Sequence, residues 1–337
     1  MGGTAAPVLL LFGPTASGKT AILRELFGAG GDKKPFCGAE VVSADSMQVY
    51  RGMDIGTAKP EPRERAALPH HLIDIRNPDE QFNAGDFVRL ADEACAGIAR
   101  RGLLPVVSGG TGFYLKNFVL GLPESPPSDP VIRKTLKDEL ENRGAAALMA
   151  ELENLDPVSA GRIHLNDSYR LLRALEVCRA SGRPLSSFAP GGGGGENPPD
   201  RRPSYRFLVL ALKRDRDELY RRINERCSLM FRSGLPEEVK ALSDSGFTPQ
   251  DPGLRAIGYR EFFVEEPGSG GPVYRPQACR LSTDLAGVEA LVAQNSRRYA
   301  KRQITYCASI PGIKWIDAGE GAAEAIKKEL ETFLRFQ

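Results

Sequence analysis

The chain has 337 residues, of which 41% are hydrophobic and 26% charged, as in an ordinary globular protein of one large or two modest domains. Its 45 basic and 43 acidic side chains give a net charge of only +2, which excludes a uniformly basic nucleic-acid-binding surface but allows local basic patches. Six scattered cysteines without a C-x-x-C pair offer no metal-ligand spacing and indicate a reducing compartment.

The ends and apolar runs of the sequence carry no export or membrane signal. No basic segment precedes the first apolar run, and no run approaches the length that spans a bilayer. We therefore expect a cytoplasmic protein that makes no use of a membrane.

A glycine-bounded loop follows the first predicted strand, residues 8–12, and leads into a helix predicted over residues 21–27. The loop has the pattern G-x-x-x-x-G-K-[ST], and its members are Gly13, Pro14, Thr15, Ala16, Ser17, Gly18, Lys19 and Thr20. Its glycines let several N–H groups surround one point, and the helix N-terminus favours an anion there. Lys19 adds a positive charge, and the Thr20 hydroxyl can ligate Mg²⁺. The pattern predicts a site for a phosphate chain without specifying which one.

Strands and helices alternate through the rest of the first 120 residues. Strands are predicted at residues 40–44, 71–75 and 104–108, with a long polar loop at 45–69 and a helix over 84–101. A Gly-Gly-Thr-Gly turn at 109–112 then leads into a helix that ends near residue 120. This alternation predicts an α/β fold, a P-loop parallel sheet with helices on both faces.

The pattern changes after residue 125. Residues 129–182 contain helices only, predicted over 130–143, 145–153 and 169–180. The core resumes with a strand at 206–212, a last strand at 313–317, an irregular stretch at 265–283, and helices over 215–231, 236–245, 284–309 and 320–336. We therefore expect a P-loop core of residues 1–125 and 205–337, an inserted all-helical subdomain of residues 126–204, and a flexible Gly-rich linker near 189–203.

Two polar residues follow predicted strands and should lie beside the phosphate loop. A nucleotide hydrolase usually adds an aspartate after an apolar strand to hold Mg²⁺, but the fourth strand and the strand at 206–212 end without one. Asp45 ends the second strand, and the carboxyl ends of parallel strands share one crevice, so we expect it close to Lys19. Thr111 offers a hydroxyl in the same crevice. A turn cap for Asp45 and a helix cap for Thr111 are the structural alternatives.

Basic side chains cluster on two predicted helices. Arg221, Arg222 and Arg226 form one cluster, and the second is a stripe of Arg297, Arg298, Lys301 and Arg302 with Tyr299 and Tyr306 beside it. Solvated helix faces carry such charges routinely. Together with a phosphate loop, the two basic helices favour a polyanionic partner.

Six segments of this chain resemble the tRNA dimethylallyltransferases, also called tRNA isopentenyltransferases. The segments run in order through nearly the whole chain and are residues 13–20, 45–60, 69–74, 109–114, 256–261 and 297–303. The stretch from Asp45 to Pro60 is far more specific than the phosphate loop alone. Because the sequence ends without the zinc-finger tail of many eukaryotic members, the resemblance is to the bacterial type.

The resemblance implies transfer of a dimethylallyl group from dimethylallyl diphosphate to N6 of adenine 37 in tRNAs that read codons beginning with U. The products are N6-dimethylallyladenosine and diphosphate. It further implies that residues 13–20 hold the diphosphate or nucleotide, with Thr20 on Mg²⁺. Asp45 matches the general base, Thr111 a residue near the amine and the leaving group, and Arg226 is expected at the leaving diphosphate. A monomer that binds a tRNA anticodon stem-loop is expected.

The resemblance also implies contacts with tRNA over several segments. The positions that match are Asp45, Ser46, Met47, Gln48, Thr111, Arg133, Tyr169, Arg170, Leu171, Leu172, Arg173, Arg255, Ala256, Ile257, Gly258, Tyr259 and Arg260, and the basic stripe adds Arg298. The chain departs from the family in its glycine run at 191–195, its long stretch at 265–283, and Tyr306-Cys307 in place of an aromatic pair.

Three other functions stay open from the sequence. One is prenyl transfer to free AMP, another is a small-metabolite P-loop kinase, and the third is a non-catalytic RNA-binding module. A kinase should carry an arginine-rich lid over the γ-phosphate, and an AMP-specific enzyme would have less use for the stripe at 297–302.

Overall fold

Six parallel strands form the sheet that carries the phosphate loop. The computed structural model describes residues 5–28, 38–122, 125–188, 202, 204–265 and 279–335. The strands of the sheet are β1 (Ala6–Phe12), β2 (Ala39–Ser43), β3 (His70–His71), β4 (Leu104–Gly109), β5 (Tyr205–Lys213) and β8 (Lys314–Asp317). Their order is β3-β2-β4-β1-β5-β8, and every described pairing in this sheet is parallel. A separate antiparallel pair consists of β6 (Phe263–Glu265) and β7 (Cys279–Leu281).

The helices follow the predicted alternation. Those of the first compact unit are α1 (Lys19–Phe27), α2 (Pro62–Ala67), α3 (Ala84–Arg100), α4 (Gly112–Leu120), α8 (Arg216–Arg232), α9 (Leu235–Asp244), α10 (Leu285–Cys307) and α11 (Ala322–Arg335). The second unit contains α5 (Pro130–Leu155), α6 (Pro157–Ala160) and α7 (Ser168–Ser181). The first unit comprises Met1–Gly121 with Arg202–Gln337, and the second Leu122–Arg201.

Strand β1 is apolar throughout because both of its faces are covered. Val8, Leu10 and Phe12 join a core with side chains of α3 and α4. Leu9 and Leu11 join a second core with α1 and α11. Strands buried on both faces read as continuous apolar runs rather than alternating ones. The prediction of a parallel sheet with helices on both faces is confirmed.

The helical unit has a leucine-rich core of its own. Leu136, Leu148 and Leu175 are fully buried there. Gly144 adopts φ +77° and divides α5 into two helical stretches, as the pattern predicts. A residue with a side chain is disfavoured at such an angle. The predicted Gly-rich linker near 189–203 lies, apart from residue 202, outside the described residues.

Three local predictions were wrong. The predicted strand at 71–75 ends at His71, because Leu72 and Asp74 adopt left-handed φ values of +64° and +59°. The polar loop at 45–69 contains the short helix α2, and the irregular stretch at 265–283 contains β7. None of the helices in the described part of the chain combines the length and apolarity needed to cross a bilayer.

Candidate active site

The backbone of the phosphate loop between β1 and α1 is tightly turned and leaves little space for side chains at its glycines. Ala16 and Gly18 take φ values of +61° and +101°. A Cβ on Gly13 would lie 2.5 Å from Ser17 Oγ. Helix α1 begins directly after Gly18, and no described side chain caps its first N–H groups. These groups and the positive end of the helix dipole therefore stay available to an anion.

Lys19 lies inside the curve of this loop. Its Nζ donates hydrogen bonds to the carbonyl oxygens of Gly13 at 2.6 Å and Pro14 at 3.1 Å. Burial and the nearby charge of Arg226 lower the pKa of Lys19 to about 8, while the Asp45 carboxylate partly opposes this shift. A bound anion would favour the charged ammonium and reverse the shift.

Arg226 of α8 lines the same cavity as Lys19. It makes no hydrogen bond or ion pair with any described residue. Burial lowers its pKa, and the negative charge of Asp45 acts in the opposite direction. Two neighbouring cations whose charged forms are disfavoured by burial constitute a site that an anion would stabilise.

Two other arginines brace the loop from outside. Arg214 donates from Nε to the Ser17 carbonyl at 3.0 Å, and Arg222 donates from Nε to the Ala16 carbonyl at 2.9 Å. Arg221 pairs with Glu225 at 2.6 Å instead. The basic cluster seen in the sequence is therefore divided: Arg222 shapes the loop through a backbone contact, and Arg226 contacts no described residue by hydrogen bond or ion pair.

Asp45 lies in the cavity with Lys19 and Arg226. Its Oδ1 accepts hydrogen bonds from the Met47 amide at 2.9 Å and the Gln48 amide at 3.3 Å. The turn-capping role is therefore present, and it uses one carboxylate oxygen. Among the described residues, none donates to Oδ2, which leaves that oxygen available to a ligand.

Thr111 connects the Gly-Gly-Thr-Gly turn to the segment after Asp45. Its Oγ1 accepts a hydrogen bond from the Ser46 amide at 3.0 Å. The helix-cap alternative is wrong for its side chain, which does not cap α4. Thr111 thus fixes the backbone beside Asp45, and it contacts the cavity-lining residue Ser46.

The cavity itself has a volume of about 360 Å³. An adjoining cavity of about 360 Å³ shares Lys19, Thr20 and Arg226 with it and adds Ala16, Ser17 and Gly18. The candidate site residues that line the first cavity are Thr15, Lys19, Thr20, Asp45, Ser46, Met47, Gln48, Arg226, Arg255, Ala256, Ile257, Gly258 and Arg260.

Gln303 also lines the cavity, and sequence reasoning gave it no role. Its Oε1 accepts from the Thr15 amide at 3.1 Å, and its Nε2 donates to the Gly110 carbonyl at 2.7 Å. Tyr299, one turn earlier on α10, lines the cavity too, and burial together with the Asp45 charge raises its pKa to about 12. The phenol is therefore neutral at physiological pH.

A carboxylate on α9 shapes another wall. Glu238 accepts hydrogen bonds from the amides of residues 54, 55 and 56 at 2.9, 2.8 and 3.1 Å, and from the Tyr259 hydroxyl at 2.6 Å. Tyr259 is fully buried, and a Cβ on Gly56 would lie 2.5 Å from its ring. Within the predicted tRNA-contact segment 255–260, Tyr259 therefore positions the backbone.

The Gln48 side chain is fixed by hydrogen bonds to the end of β2 and to the segment after Gly56. Its Oε1 accepts from the Ser43 hydroxyl at 3.0 Å, and its Nε2 donates to the Thr57 and Ala58 carbonyls at 3.3 Å each.

The candidate residues of the helical unit have mixed environments. Arg133 and Arg173 pair with the fully buried Glu176 at 3.1 and 3.0 Å. Leu171 and Leu172 are buried in the core of the unit. Two of the candidate residues are exposed on α7: Tyr169, whose ring lies 5.0 Å from the Arg133 guanidinium, and Arg170, which pairs with Asp167 at 3.0 Å. Because Leu171 and Leu172 are buried, their role is to position the exposed side chains of α7.

The basic stripe on α10 is largely solvent-facing. Arg298 and Lys301 are exposed, and neither forms an ion pair with a described residue. Arg302 stacks over the Tyr299 ring, with its guanidinium carbon 5.7 Å from the centroid. Arg297 is hydrogen-bonded to Asn224.

This arrangement defines a class of protein: a P-loop α/β protein that binds a phosphorylated ligand beside a carboxylate. A family model described as IPP transferase matches residues 48–309. The chain belongs to the IPP transferase family.

Relatives extend the likeness to nearly the whole chain. The sequence is 42% identical over 315 residues to the tRNA dimethylallyltransferase of Geobacter sulfurreducens, covering 94% of this chain and 93% of the relative. The tRNA isopentenylpyrophosphate transferase of Bacillus halodurans is 32% identical, with a TM-score of 0.62 and coverage of 98% and 97%. A eukaryotic dimethylallyltransferase acting on tRNA, 24% identical, shares the fold with a TM-score of 0.73 over 97% of this chain and 78% of its own.

Proposed function

We propose that this chain transfers a dimethylallyl group from dimethylallyl diphosphate to N6 of adenine 37 in tRNAs reading codons that begin with U. Membership of the IPP transferase family and the names of the relatives support this reaction. The observation that carries it is the pair of cations Lys19 and Arg226 beside the Asp45 carboxylate in one cavity.

The cations serve the leaving group. An allylic diphosphate breaks its C–O bond readily once the charge that develops on the diphosphate is neutralised. Lys19, Arg226 and the amides of the phosphate loop surround the place where that charge appears, and a preorganised site stabilises it without reorganisation. No γ-phosphate is cleaved, so the reaction does not need the aspartate that hydrolases use to hold Mg²⁺.

Mg²⁺ fits the donor set near the loop in one particular way. The described residues contain no cluster of three His, Cys, Asp or Glu side chains able to hold a metal. The Thr20 hydroxyl would hold the ion together with diphosphate oxygens, which suits an ion that retains waters and few protein ligands. When bound, Mg²⁺ supplies further charge neutralisation to the leaving diphosphate.

Asp45 serves the acceptor. The exocyclic amine of adenine is a weak nucleophile, so a base has to accept its proton as the N–C bond forms. Oδ1 is fixed by two backbone amides, and Oδ2 takes the proton. Thr111 holds the Ser46 backbone and thereby the position of this carboxylate.

The acceptor base has to leave the anticodon loop to reach Asp45. Turning a base out of its stack costs a few kcal/mol, which contacts with neighbouring nucleotides must offset. We assign these contacts to the helical unit, with Tyr169 and Arg170 exposed on it, and to Arg298 on α10. We propose that the chain acts as a monomer. The five described cysteines are free thiols, which supports a cytoplasmic setting.

One assay separates this function from its rivals. The protein is mixed with labelled dimethylallyl diphosphate, Mg²⁺ and either unmodified tRNA or AMP. We expect label in tRNA only, in N6-dimethylallyladenosine. Label in AMP alone would replace the proposal with an AMP prenyltransferase. ATP consumption without label would favour a kinase, and binding of tRNA without either reaction would leave an RNA-binding module.

A further inference from the structure

Two aromatic rings are exposed side by side next to the cavity. Phe113 of α4 is 54% exposed and Tyr306 of α10 is 36% exposed. Their ring centroids are 6.3 Å apart, and the ring planes meet at 71°. A Cβ on Gly112 would lie 2.9 Å from the Tyr306 ring, so the start of α4 fits closely against it. We call Phe113 and Tyr306 the aromatic pair.

The helix segments that carry the aromatic pair are rich in basic residues and contain no acidic ones. The sequence has no acidic residue between Glu289 and Asp317, which includes most of α10, and none between Glu93 and Glu124, which includes all of α4. Five cations lie on these two helices in the same stretches: Lys116, Arg297, Arg298, Lys301 and Arg302. In a chain whose net charge is only +2, this is a local concentration that attracts a polyanion.

One cation, Lys116, lies against a ring of the aromatic pair. The Lys116 ammonium lies 5.6 Å from the Tyr306 ring centroid and donates to the Ser309 hydroxyl at 3.1 Å. A cation held against an aromatic ring, with exposed ring surface beside it, can bind a base and its phosphate together.

The aromatic pair lies close in the chain to residues of the cavity. Arg302 and Tyr299 line the cavity. Tyr306 follows Arg302 by four residues on α10, one turn or about 6 Å further along the same helix face. Phe113 follows Thr111 by two residues, and the Thr111 hydroxyl accepts a hydrogen bond from the amide of Ser46, which follows Asp45. A nucleotide next to the one in the cavity would therefore reach the aromatic pair.

We propose that Phe113 and Tyr306 form a stacking platform for a base adjacent to the target adenine, with Lys116 and Arg302 on its phosphates. The inference rests on the proposed function and adds a second nucleotide subsite to it. Stacking on aromatic side chains tolerates any base, because every base has a π-face. The platform thus stabilises the unstacked conformation of the anticodon loop, whatever base lies at the stacked position.

The test uses an anticodon stem-loop with 2-aminopurine in turn at each position flanking the target adenine. Stacking quenches the fluorescence of this base. Binding to the wild-type chain should quench one of the two probes. Phe113→Ala and Tyr306→Ala should each relieve the quenching and weaken binding about tenfold. Phe113→Tyr and Tyr306→Phe keep the rings and should behave as wild type.

Several results would overturn the platform. Unchanged quenching and affinity in both alanine variants would remove it, and so would equal losses in the ring-retaining variants. Loss of self-association instead of RNA binding would assign the surface to a second copy of the chain. Should Tyr306→Ala fail to fold, Phe113→Ala alone tests the platform, because Phe113 is the more exposed of the two residues.

Failure of the proposed function has a different signature. A wild-type chain that binds and quenches the stem-loop but does not prenylate it would leave the platform intact and remove the reaction. Binding of dimethylallyl diphosphate is measured in every variant and should be unchanged.

Discussion

Gln303 donates a hydrogen bond to the Gly110 carbonyl at 2.7 Å, and a side chain at position 110 would have to displace the Gln303 amide. A Cβ on Gly110 would lie 2.3 Å from Gln303 Nε2. The other end of the same amide accepts from Thr15 in the phosphate loop. Gln303 thus connects two elements of the site. One is the phosphate loop, which is proposed to hold the leaving group, and the other is the Gly-Gly-Thr-Gly turn at 109–112, which carries Thr111. Gln303 itself lines the cavity.

Replacing Gln303 by leucine should therefore slow the transfer more than it weakens donor binding. Both backbone groups lose their partner, and a displacement of about 1 Å between reacting groups can cost roughly 100-fold in rate. We expect kcat to fall by about 10- to 100-fold, with a smaller change in KM for dimethylallyl diphosphate. Gln294→Leu, on an exposed position of the same helix, is the control. A change confined to KM would contradict the positioning role.

Asp45→Asn should abolish most of the transfer and leave the donor site intact. The amide Oδ1 can still accept from Met47 and Gln48, so the turn is preserved while the basic oxygen is lost. General bases contribute about 100- to 10,000-fold, and single-turnover rates should fall within that range. Donor binding, measured separately, should persist. Near-normal turnover would exclude Asp45 as the base, and Asp244→Asn, exposed on α9, controls for loss of charge alone.

Much of this site follows from local sequence and from one rule of sheet topology. The glycine spacing specifies the phosphate loop, and Asp45 could be placed near Lys19 because the carboxyl ends of parallel strands meet at one edge. These features depend on residues that are neighbours in the chain or on adjacent strands, where pattern and structure are directly linked.

The rest depends on partners that sequence spacing does not reveal. Gln303 meets residues 288 and 193 positions away, and Glu238 meets a segment more than 180 positions away. The sequence assigns Arg133 to tRNA, yet its pairing with Glu176 emerges only from the packing of α5 against α7. Arg173 meets the same carboxylate from three residues away on α7. The short β3 likewise results from left-handed angles at Leu72 and Asp74, neither of which is a glycine.

The affinity for dimethylallyl diphosphate should weaken above pH 8. The pKa of Lys19 is lowered to about 8, so its ammonium loses its proton, and its attraction for the donor, as the pH rises through that value. Binding is measured by calorimetry between pH 7 and pH 9.5. Lys19→Arg keeps its charge over this range and should show a flat profile, even if weaker overall. Parallel profiles for the two proteins would show that another group titrates.

Glu176→Gln should destabilise the helical unit. Burial alone would raise the pKa of Glu176, but hydrogen bonds from Ser128 and Arg173 hold it below its usual range. The carboxylate therefore contributes stability above pH 4.5, and the contribution is lost as the pH falls through the lower folded pKa. Removing one partner of a buried ion pair costs about 3–5 kcal/mol.

Denaturant unfolding of the full chain measures this loss, with Glu153→Gln, exposed on α5, as the control. Equal midpoints for the two variants at pH 7 would show that Glu176 does not stabilise the unit. A difference that persists unchanged at pH 3 would show that its ionisation is not the cause.

Arg298→Ala should weaken tRNA binding in a salt-dependent way. Arg298 is exposed on α10 and has no ion pair among the described residues, so its charge is available to a phosphate. Each phosphate contact adds about 0.7–0.9 to the slope of log K against log salt, and the variant should lose about that much. Arg89→Ala, whose arginine pairs with Glu93 on α3, should keep the wild-type slope. An unchanged slope in Arg298→Ala would mean that this side chain meets no phosphate, and the tRNA backbone would then have to follow the helical unit instead of α10.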